Sequence, residues 1–251
     1  MEFETVFKIG SCVSGTDMSG VFSVGSCVSH NEEYDELYIQ PSRNWITSKG
    51  YARNQNNRDL YFVGPTAESN WIIRNLFAVG SYPDKPTYLK SILDKGLDTF
   101  VCLNAEYGKK SHGIYYVKYA EKLPSSCTFI HEPIEDMETV KDEIIVNLAL
   151  KIVELLRIGK KVYLHCAGGH GRAGTVASVV LHILCVDLSE TELFDYIQYA
   201  HDQRHENYFG NYSFVYKMGN DQLAHHFCNG QVPSPQTSQQ RDQVRRIMEH
   251  K

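Results

Sequence analysis

One cysteine and one arginine, separated by five glycine-rich residues, are the side chains of this sequence best suited to chemistry. The segment that holds them reads His165-Cys166-Ala167-Gly168-Gly169-His170-Gly171-Arg172. A strand-like apolar run, Val162–Leu164, precedes it, and a helix-like run, Thr175–Leu181, follows it. A glycine-rich turn between a strand and a helix N-terminus directs backbone N–H groups at one point, where they bind an anion. The spacing therefore predicts a phosphate site with a thiol at its floor.

A thiol and a guanidinium in this arrangement suit phosphoryl transfer. The helix N-terminus and Arg172 both favour the thiolate form of Cys166 over the thiol. The planar fork of Arg172 matches phosphate oxygens two at a time. A phosphate held against a nucleophilic sulfur predicts covalent catalysis through Cys166.

The segment resembles the His-Cys-x-x-Gly-x-x-Arg-Ser/Thr-Gly loop of the cysteine-based protein tyrosine phosphatase superfamily, in its dual-specificity or atypical group. The resemblance implies that Cys166 attacks phosphorus, that His165 orients the loop, and that no metal or organic cofactor is needed. It implies that the substrate phosphate is bound by Cys166, Ala167, Gly168, Gly169, His170, Gly171 and Arg172. His170 would add positive charge to this loop if it were protonated.

A carboxylic acid is also required, because the leaving oxygen must be protonated. The segment Ile130–Met137 resembles the movable acid loop of dual-specificity phosphatases, and its His-x-Pro-Ile-x-Asp pattern is closest to the kinase-associated phosphatase subgroup. The resemblance assigns the acid role to Asp136. By residue type alone, Glu132 and Glu135 remain competitors.

Two further positions bear on the hydrolysis of a phosphocysteine. Gln236-Thr237-Ser238-Gln239-Gln240 resembles the segment of tyrosine-specific phosphatases whose glutamines handle the attacking water, which would assign that role to Gln236 and Gln240. A capped helix explains the same residues without any role in catalysis. Most members of the family have Ser or Thr at the position of Ala173, whereas the phosphatases of regenerating liver also have alanine there. Its missing hydroxyl should slow breakdown of the intermediate.

The elements that must position these residues alternate between strands and helices. Strands are predicted at Leu76–Val79, Thr99–Leu103, Thr128–His131 and from Val162. Helices are predicted from Thr87 to a stop at Gly96, over residues 140–158, after Arg172, from the capping box at Ser189, and from a cap at Ser234-Pro235. This order predicts an α/β fold, a mostly parallel central sheet flanked by helices as in protein tyrosine phosphatases.

The chain divides by composition into two regions. Residues 67–251 carry the predicted phosphatase domain. Residues 1–66 are predicted to be a short β-rich extension, because they contain an imperfect repeat, Ile9–Ser14 and Val24–Ser29.

The composition and net charge of the chain indicate which kinds of partner to expect. The formal net charge of −5 argues against non-specific nucleic-acid binding, and no apolar run approaches the roughly 20 residues of a membrane span. Seven scattered cysteines predict reduced thiols in the cytoplasm or nucleus. No metal site is predicted, because His201 and His205, or His225-His226 near Cys228, lack a further ligand at a recognised spacing. The expected substrate is a phosphorylated protein. RNA 5′-triphosphate ends, inositol phosphates or a slow-turnover phosphate-binding scaffold are the alternatives.

Overall fold

The computed structural model describes residues 27–31, 36–40, 60–111, 113–205 and 232–249. Within the N-terminal region, β1 (Cys27–Asn31) and β2 (Glu36–Gln40) form an antiparallel pair. The first copy of the repeat and most of residues 205–233 lie outside the described residues. In the described part of the chain, no helix is both long and apolar enough to cross a membrane.

A five-stranded sheet forms the centre of the domain. Its strands are β3 (Ser69–Ile73), β4 (Phe77–Gly80), β5 (Thr99–Asn104), β8 (Thr128–Ile134) and β9 (Val162–His165). They lie in the order β3-β4-β9-β5-β8, and every pairing is parallel except that of β3 with β4. A small hairpin, β6 (Lys110–Ser111) with β7 (Ile114–Tyr115), follows β5. The predicted α/β class with a mostly parallel sheet is confirmed.

Helices cover both faces of the sheet. They are α1 (Pro86–Asp94), α2 (Asp142–Arg157), α3 (Gly171–Leu184), α4 (Glu190–Asp202) and α5 (Ser238–Glu249). Alternation along β5 separates two cores: Val101 packs with α2 to α5, whereas Phe100 packs with α1 and the 3₁₀ turn Tyr119–Lys122. This layering buries β9 on both faces, so the loop after it has a rigid base.

Local sequence signals account for most helix boundaries. The helices predicted before Gly96 and Gly159 end there, and both glycines adopt the left-handed φ (75° and 77°) that favours glycine. The capping box at Ser189 and Glu192 opens α4 as predicted.

The predicted start of the last helix is wrong. It begins at Ser238, four residues after Ser234. Thr237 Oγ1 accepts the backbone N–H of Gln240 at 3.2 Å, and Gln240 Oε1 accepts that of Thr237 at 3.1 Å. This reciprocal pair needs a Gln or Glu three residues after the cap, which Thr237 has and Ser234 lacks.

The first strand of the domain also differs from the prediction. Ser69–Ile73, for which no strand was predicted, forms β3, antiparallel to the predicted strand at Phe77. The segment before it packs on the same sheet, because Phe62 is fully buried in the larger core and Val63 forms a bridge with Asn70.

Candidate active site

The candidate site lies where three neighbouring parallel strands end. β9 ends at His165, directly before Cys166. Its neighbour β5 ends at Asn104, and β8 ends at Ile134, two residues before Asp136. The carboxyl ends of parallel strands share one edge, which is where ligands bind in open α/β sheets. The topology therefore brings the thiol and the candidate acid together.

Backbone carbonyl groups in the loop of residues 166–170 accept hydrogen bonds from residues outside the loop. The carbonyl of Ala167 accepts the backbone N–H of Tyr82 at 2.9 Å. The carbonyl of His170 accepts the hydroxyl of Ser234 at 3.0 Å. In a planar trans peptide, the N–H of the next residue points opposite to the carbonyl. Each outside contact therefore turns an N–H toward the inside of the loop, as an anion site requires.

Gly169 is required by the backbone. Its φ of 73° lies in the left-handed region, and a Cβ there would collide with the backbone of Gly80. The glycine lets the loop turn tightly against the end of β4. This explains why a side chain is excluded at the middle of the loop.

Cys166 lies at the base of this loop. Its residue surface is only 3% exposed, and the N-terminus of α3 begins five residues further on. A helix N-terminus carries partial positive charge that stabilises anions. Cys166 therefore lies where the loop and the helix end favour an anion.

Arg172 is buried and held by acceptors on two other segments. Nη1 donates to the carbonyl of Ile134 at 2.8 Å and to Glu106 Oε2 at 3.0 Å, and Nη2 lies 2.8 Å from Asp136 Oδ1. Burial alone would lower the pKa of Arg172, but Cys166, Asp136 and Glu106 raise it above its ordinary value. The guanidinium is therefore a permanent cation beside the sulfur.

The three candidate acids occupy different positions. Asp136 contacts Arg172, and its side chain is 46% exposed. Glu135 is exposed on the same turn, and Glu132 lies within β8. Of the three, Asp136 is the carboxylate that the structure places in contact with the loop arginine.

His165 is fully buried beneath the loop. Its Nε2 lies 2.6 Å from the hydroxyl of Tyr119, and its ring packs edge-on against Tyr82. Burial lowers the pKa of His165 to about 3. A neutral ring anchored to two tyrosines fits a role in holding the loop rather than in proton transfer.

His170 does not supply the positive charge expected of it. Its Nδ1 lies 2.7 Å from Nε2 of His201. Burial, together with the Coulombic effects of His201 and Arg204, lowers the pKa of His170 well below its ordinary value. The ring is therefore neutral at neutral pH, and what His170 offers a phosphate is its backbone N–H.

The two candidate water-handling glutamines lie near the start of α3. A Cβ added to Gly171 would meet the side-chain amide of Gln240 at 2.6 Å, so Gln240 packs against the loop end. That amide also completes the cap of α5 and donates to the carbonyl of Glu138 at 3.4 Å. Gln236 is partly exposed beside it. Gln240 is thus engaged in structure here, and the water-handling role stays a prediction.

Glu106 is a site residue that the sequence analysis did not identify. It lies two residues after β5 and is 11% exposed at its side chain. Besides Arg172, it accepts the side-chain amide of Asn104 at 3.1 Å. The available signal was its position: an acidic residue just past a buried strand faces the same edge as the loop.

Comparisons with known proteins show the family to which the domain belongs. Residues 66–207, more than half of the chain, match the family described as "Swiss Army Knife protein, DSP-PTPase phosphatase domain". Two viral proteins are similar in sequence. "Putative tyrosine phosphatase 067L" of Invertebrate iridescent virus 3 is 28% identical over 55% of each chain. "Putative tyrosine phosphatase 197R" of Invertebrate iridescent virus 6 is 31% identical over 49% of this chain and 44% of its own.

The chain thus spans about half the length of these curated relatives. Among solved structures, Tk-PTP in its active form superposes with a TM-score of 0.48 at 20% identity. The superposed region covers 73% of this chain and 98% of the Tk-PTP chain.

Proposed function

The chain belongs to the DSP-PTPase phosphatase domain family, and on that premise we propose that it is a cysteine-dependent phosphatase of phosphorylated protein side chains. One observation carries the proposal: Oδ1 of Asp136 lies 2.8 Å from Nη2 of Arg172, the arginine that follows the loop beginning at Cys166. Nucleophile, phosphate-binding cation and acid are thus adjacent, as phosphoryl transfer requires.

The first step transfers the phosphoryl group to sulfur. The Cys166 thiolate attacks phosphorus, the bond from phosphorus to the ester oxygen breaks, and Asp136 gives its proton to the leaving oxygen. Arg172 and the inward N–H groups stabilise the charge on the three equatorial oxygens. The products are a phosphocysteine and the free alcohol or phenol.

The second step returns the enzyme to its starting state. A water attacks phosphorus while the Asp136 carboxylate takes one of its protons. The sulfur–phosphorus bond breaks, the thiolate is restored, and inorganic phosphate is released. Gln236 is proposed to orient this water, with Gln240 supporting it.

The substrate class is proposed from the relatives. Both viral relatives are named as tyrosine phosphatases, so phosphotyrosine is the first substrate to test, followed by phosphoserine and phosphothreonine. We propose a location in the cytoplasm or nucleus, which the free thiols of Cys102, Cys127, Cys166 and Cys185 support.

A second candidate function is a phosphate-binding protein with slow turnover. Ala173 favours it, because this fully buried residue has no hydroxyl to stabilise the departing sulfur. In that case phosphorylated ligands would be held as phosphocysteine or bound without release. A burst of product followed by little steady-state activity distinguishes it from the first candidate.

The deciding experiment substitutes the nucleophile. Cys166→Ser should abolish hydrolysis of an aryl phosphate, and metal chelators should have no effect. Cys185→Ser is the matched control, because Cys185 is also buried but lies at the opposite end of α3. Activity retained in Cys166→Ser would overturn the proposal. The substrate class would be identified with an Asp136→Ala variant, which should bind substrate but release product slowly. It would be incubated with phosphopeptides, phosphoinositides and triphosphate-ended RNA, and the compound that stays bound would be determined.

A further inference from the structure

A buried arginine on the outer side of the loop, Arg204, takes no part in the steps above. It follows α4, and only 1% of its surface is exposed. Its Nη1 donates to the carbonyl of Gly168 at 3.1 Å, and its Nη2 donates to the carbonyl of Gly169 at 2.8 Å. Its Nε donates to Asn70 Oδ1 at 2.8 Å, which ties the guanidinium to β3. Every nitrogen of the fork therefore has an acceptor.

These contacts determine the orientation of two successive peptide groups. A trans peptide points its N–H opposite to its carbonyl. With the carbonyls of Gly168 and Gly169 held outward, the N–H groups of Gly169 and His170 face inward. Glycine peptides rotate freely, so without the fork these carbonyls could turn toward a phosphate and repel it. The fork of Arg204 thus does for the middle of the loop what Tyr82 and Ser234 do for its ends.

The charge of Arg204 is also placed usefully. Burial lowers the pKa of Arg204 to about 10, so it remains protonated at neutral pH. Among the described residues, no carboxylate lies within ion-pair distance of its guanidinium. A buried charge without an ion pair is costly, and the Coulombic effects of Tyr163, Cys166, Asp202 and Glu68 offset the burial of Arg204 only in part. A bound phosphate would add to that compensation.

We propose that Arg204 is a positioning residue of this phosphatase, which holds two loop carbonyls away from the substrate and so presents two N–H donors to its phosphate. The inference rests on the proposed function and adds a residue to its machinery. Arginine suits this role because its planar fork reaches two acceptors at once, which a lysine ammonium does not.

The test compares three variants. Arg204→Met removes the fork and the charge, and Arg204→Lys keeps the charge alone. Arg74→Met is the matched control, because Arg74 donates to the successive carbonyls of Leu60 and Tyr61 at the opposite end of β3. For each protein we would measure the melting temperature, kcat/KM on p-nitrophenyl phosphate, and the Kd of inorganic phosphate by calorimetry.

Arg204→Met should lower kcat/KM by ~10²–10³-fold, the cost of losing an oriented oxyanion donor. It should weaken phosphate binding by about tenfold or more. Arg204→Lys should recover part of the binding but little of kcat/KM, and Arg74→Met should change neither. Phosphate binding and kcat/KM within about twofold of wild type in Arg204→Lys would overturn the proposal, even if Arg204→Met failed to fold. Equal losses in Arg74→Met would also overturn it. If the wild type binds phosphate but hydrolyses no ester, the proposed function fails, while the binding comparison still tests Arg204.

Discussion

Replacing Glu106 by Gln should weaken the contribution of Arg172 to catalysis without changing any residue of the loop. Two donors converge on Glu106 Oε2: Arg172 Nη1 at 3.0 Å and the amide of Asn104 at 3.1 Å. A glutamine can place its amide oxygen at the Oε2 position, but its NH₂ then takes the place of Oε1, which accepts Arg172 Nη1 at 3.4 Å. Donor then faces donor there, and the negative charge that attracts the guanidinium is lost. Because Arg172 is only 2% exposed, water cannot replace the lost partner.

The expected loss follows from that geometry. A hydrogen bond to a charged group contributes about 1.5–3 kcal/mol. If the bond orients Arg172 for the transition state, its loss lowers kcat/KM by about 10- to 100-fold. KM should change little, because Asp136 and the carbonyl of Ile134 still hold the guanidinium near the loop. Steady-state kinetics on an aryl phosphate would give both constants.

A matched control lies at the other end of the same strand. Asp98, just before β5, accepts Lys160 Nζ at 3.2 Å and the backbone N–H of Lys161 at 3.2 Å. Asp98→Asn therefore removes a comparable carboxylate far from the loop and should leave kcat/KM unchanged. The reasoning is refuted if Glu106→Gln stays within about twofold of wild type, or if the two variants lose activity equally.

Three further predictions address the acid, the intermediate and the pH dependence of stability. Asp136→Asn should slow an alkyl phosphate by ~10²–10⁴-fold and p-nitrophenyl phosphate much less, because only the alkoxide needs protonation; a larger loss in Glu135→Gln would show that the wrong carboxylate was chosen. Ala173→Ser should raise kcat by roughly 10- to 100-fold and leave kcat/KM unchanged, with a burst in stopped-flow traces of the wild type; no burst would mean that breakdown of the intermediate is not limiting. The free energy of unfolding should fall as pH drops from about 6.5 toward 3, because burial lowers the pKa of His165 to about 3 and only the unfolded chain binds that proton. Urea titrations should show that the wild type loses about 2 kcal/mol more than His165→Gln between pH 7 and 5, because His170, whose pKa is also lowered, contributes to both proteins. Equal losses in the two proteins would contradict the assignment.

Local patterns account for what could be predicted from the sequence. The loop was predictable because its nucleophile, glycines and arginine are contiguous between a strand and a helix. The helix α2 was predictable because Ile145, Leu148, Ile152 and Leu156 repeat every three to four residues and are all buried. The strand β5 is a short apolar run, buried at every position, as a central parallel strand must be.

The edge strand β3 escaped prediction for an equally local reason. It is joined to β4 by a tight turn in which Asn75 adopts a φ of 60°. Asparagine tolerates this left-handed conformation, so the sequence does contain a signal for the turn of the hairpin. A strand was nevertheless predicted only for the apolar run Leu76–Val79 that follows the turn, and not for the residues before it.

The position of Glu106 after β5 places it at the edge of the site, but the partners of Glu106 and Arg204 could not have been assigned from the sequence. Their partners Arg172 and Gly169 lie 66 and 35 residues away along the chain. The first contact depends on the register of β5 against β9, and the second depends on where α4 ends relative to the loop. Neither register nor helix docking leaves a periodic trace in the residues themselves. Acidic and basic residues after an element also occur on ordinary surfaces, so their type alone does not distinguish them.

The two carboxylates on Arg172 should behave differently when a phosphate arrives. A phosphate dianion needs two donors of the guanidinium, while Nη1 is already committed to the carbonyl of Ile134 and to Glu106. Nη2 forms an ion pair with Asp136, but among the described residues no atom accepts a hydrogen bond from it, so in the proposed mechanism Nη2 turns to the substrate. The carboxylate that yields is then Asp136, whose side chain is 46% exposed against 11% for Glu106. A yielding Asp136 is free to move from Arg172 to the leaving oxygen, which is where a general acid must be. In the proposed mechanism, burial thus separates the two roles: Glu106 would keep the arginine in place, and Asp136 would exchange that contact for the proton transfer.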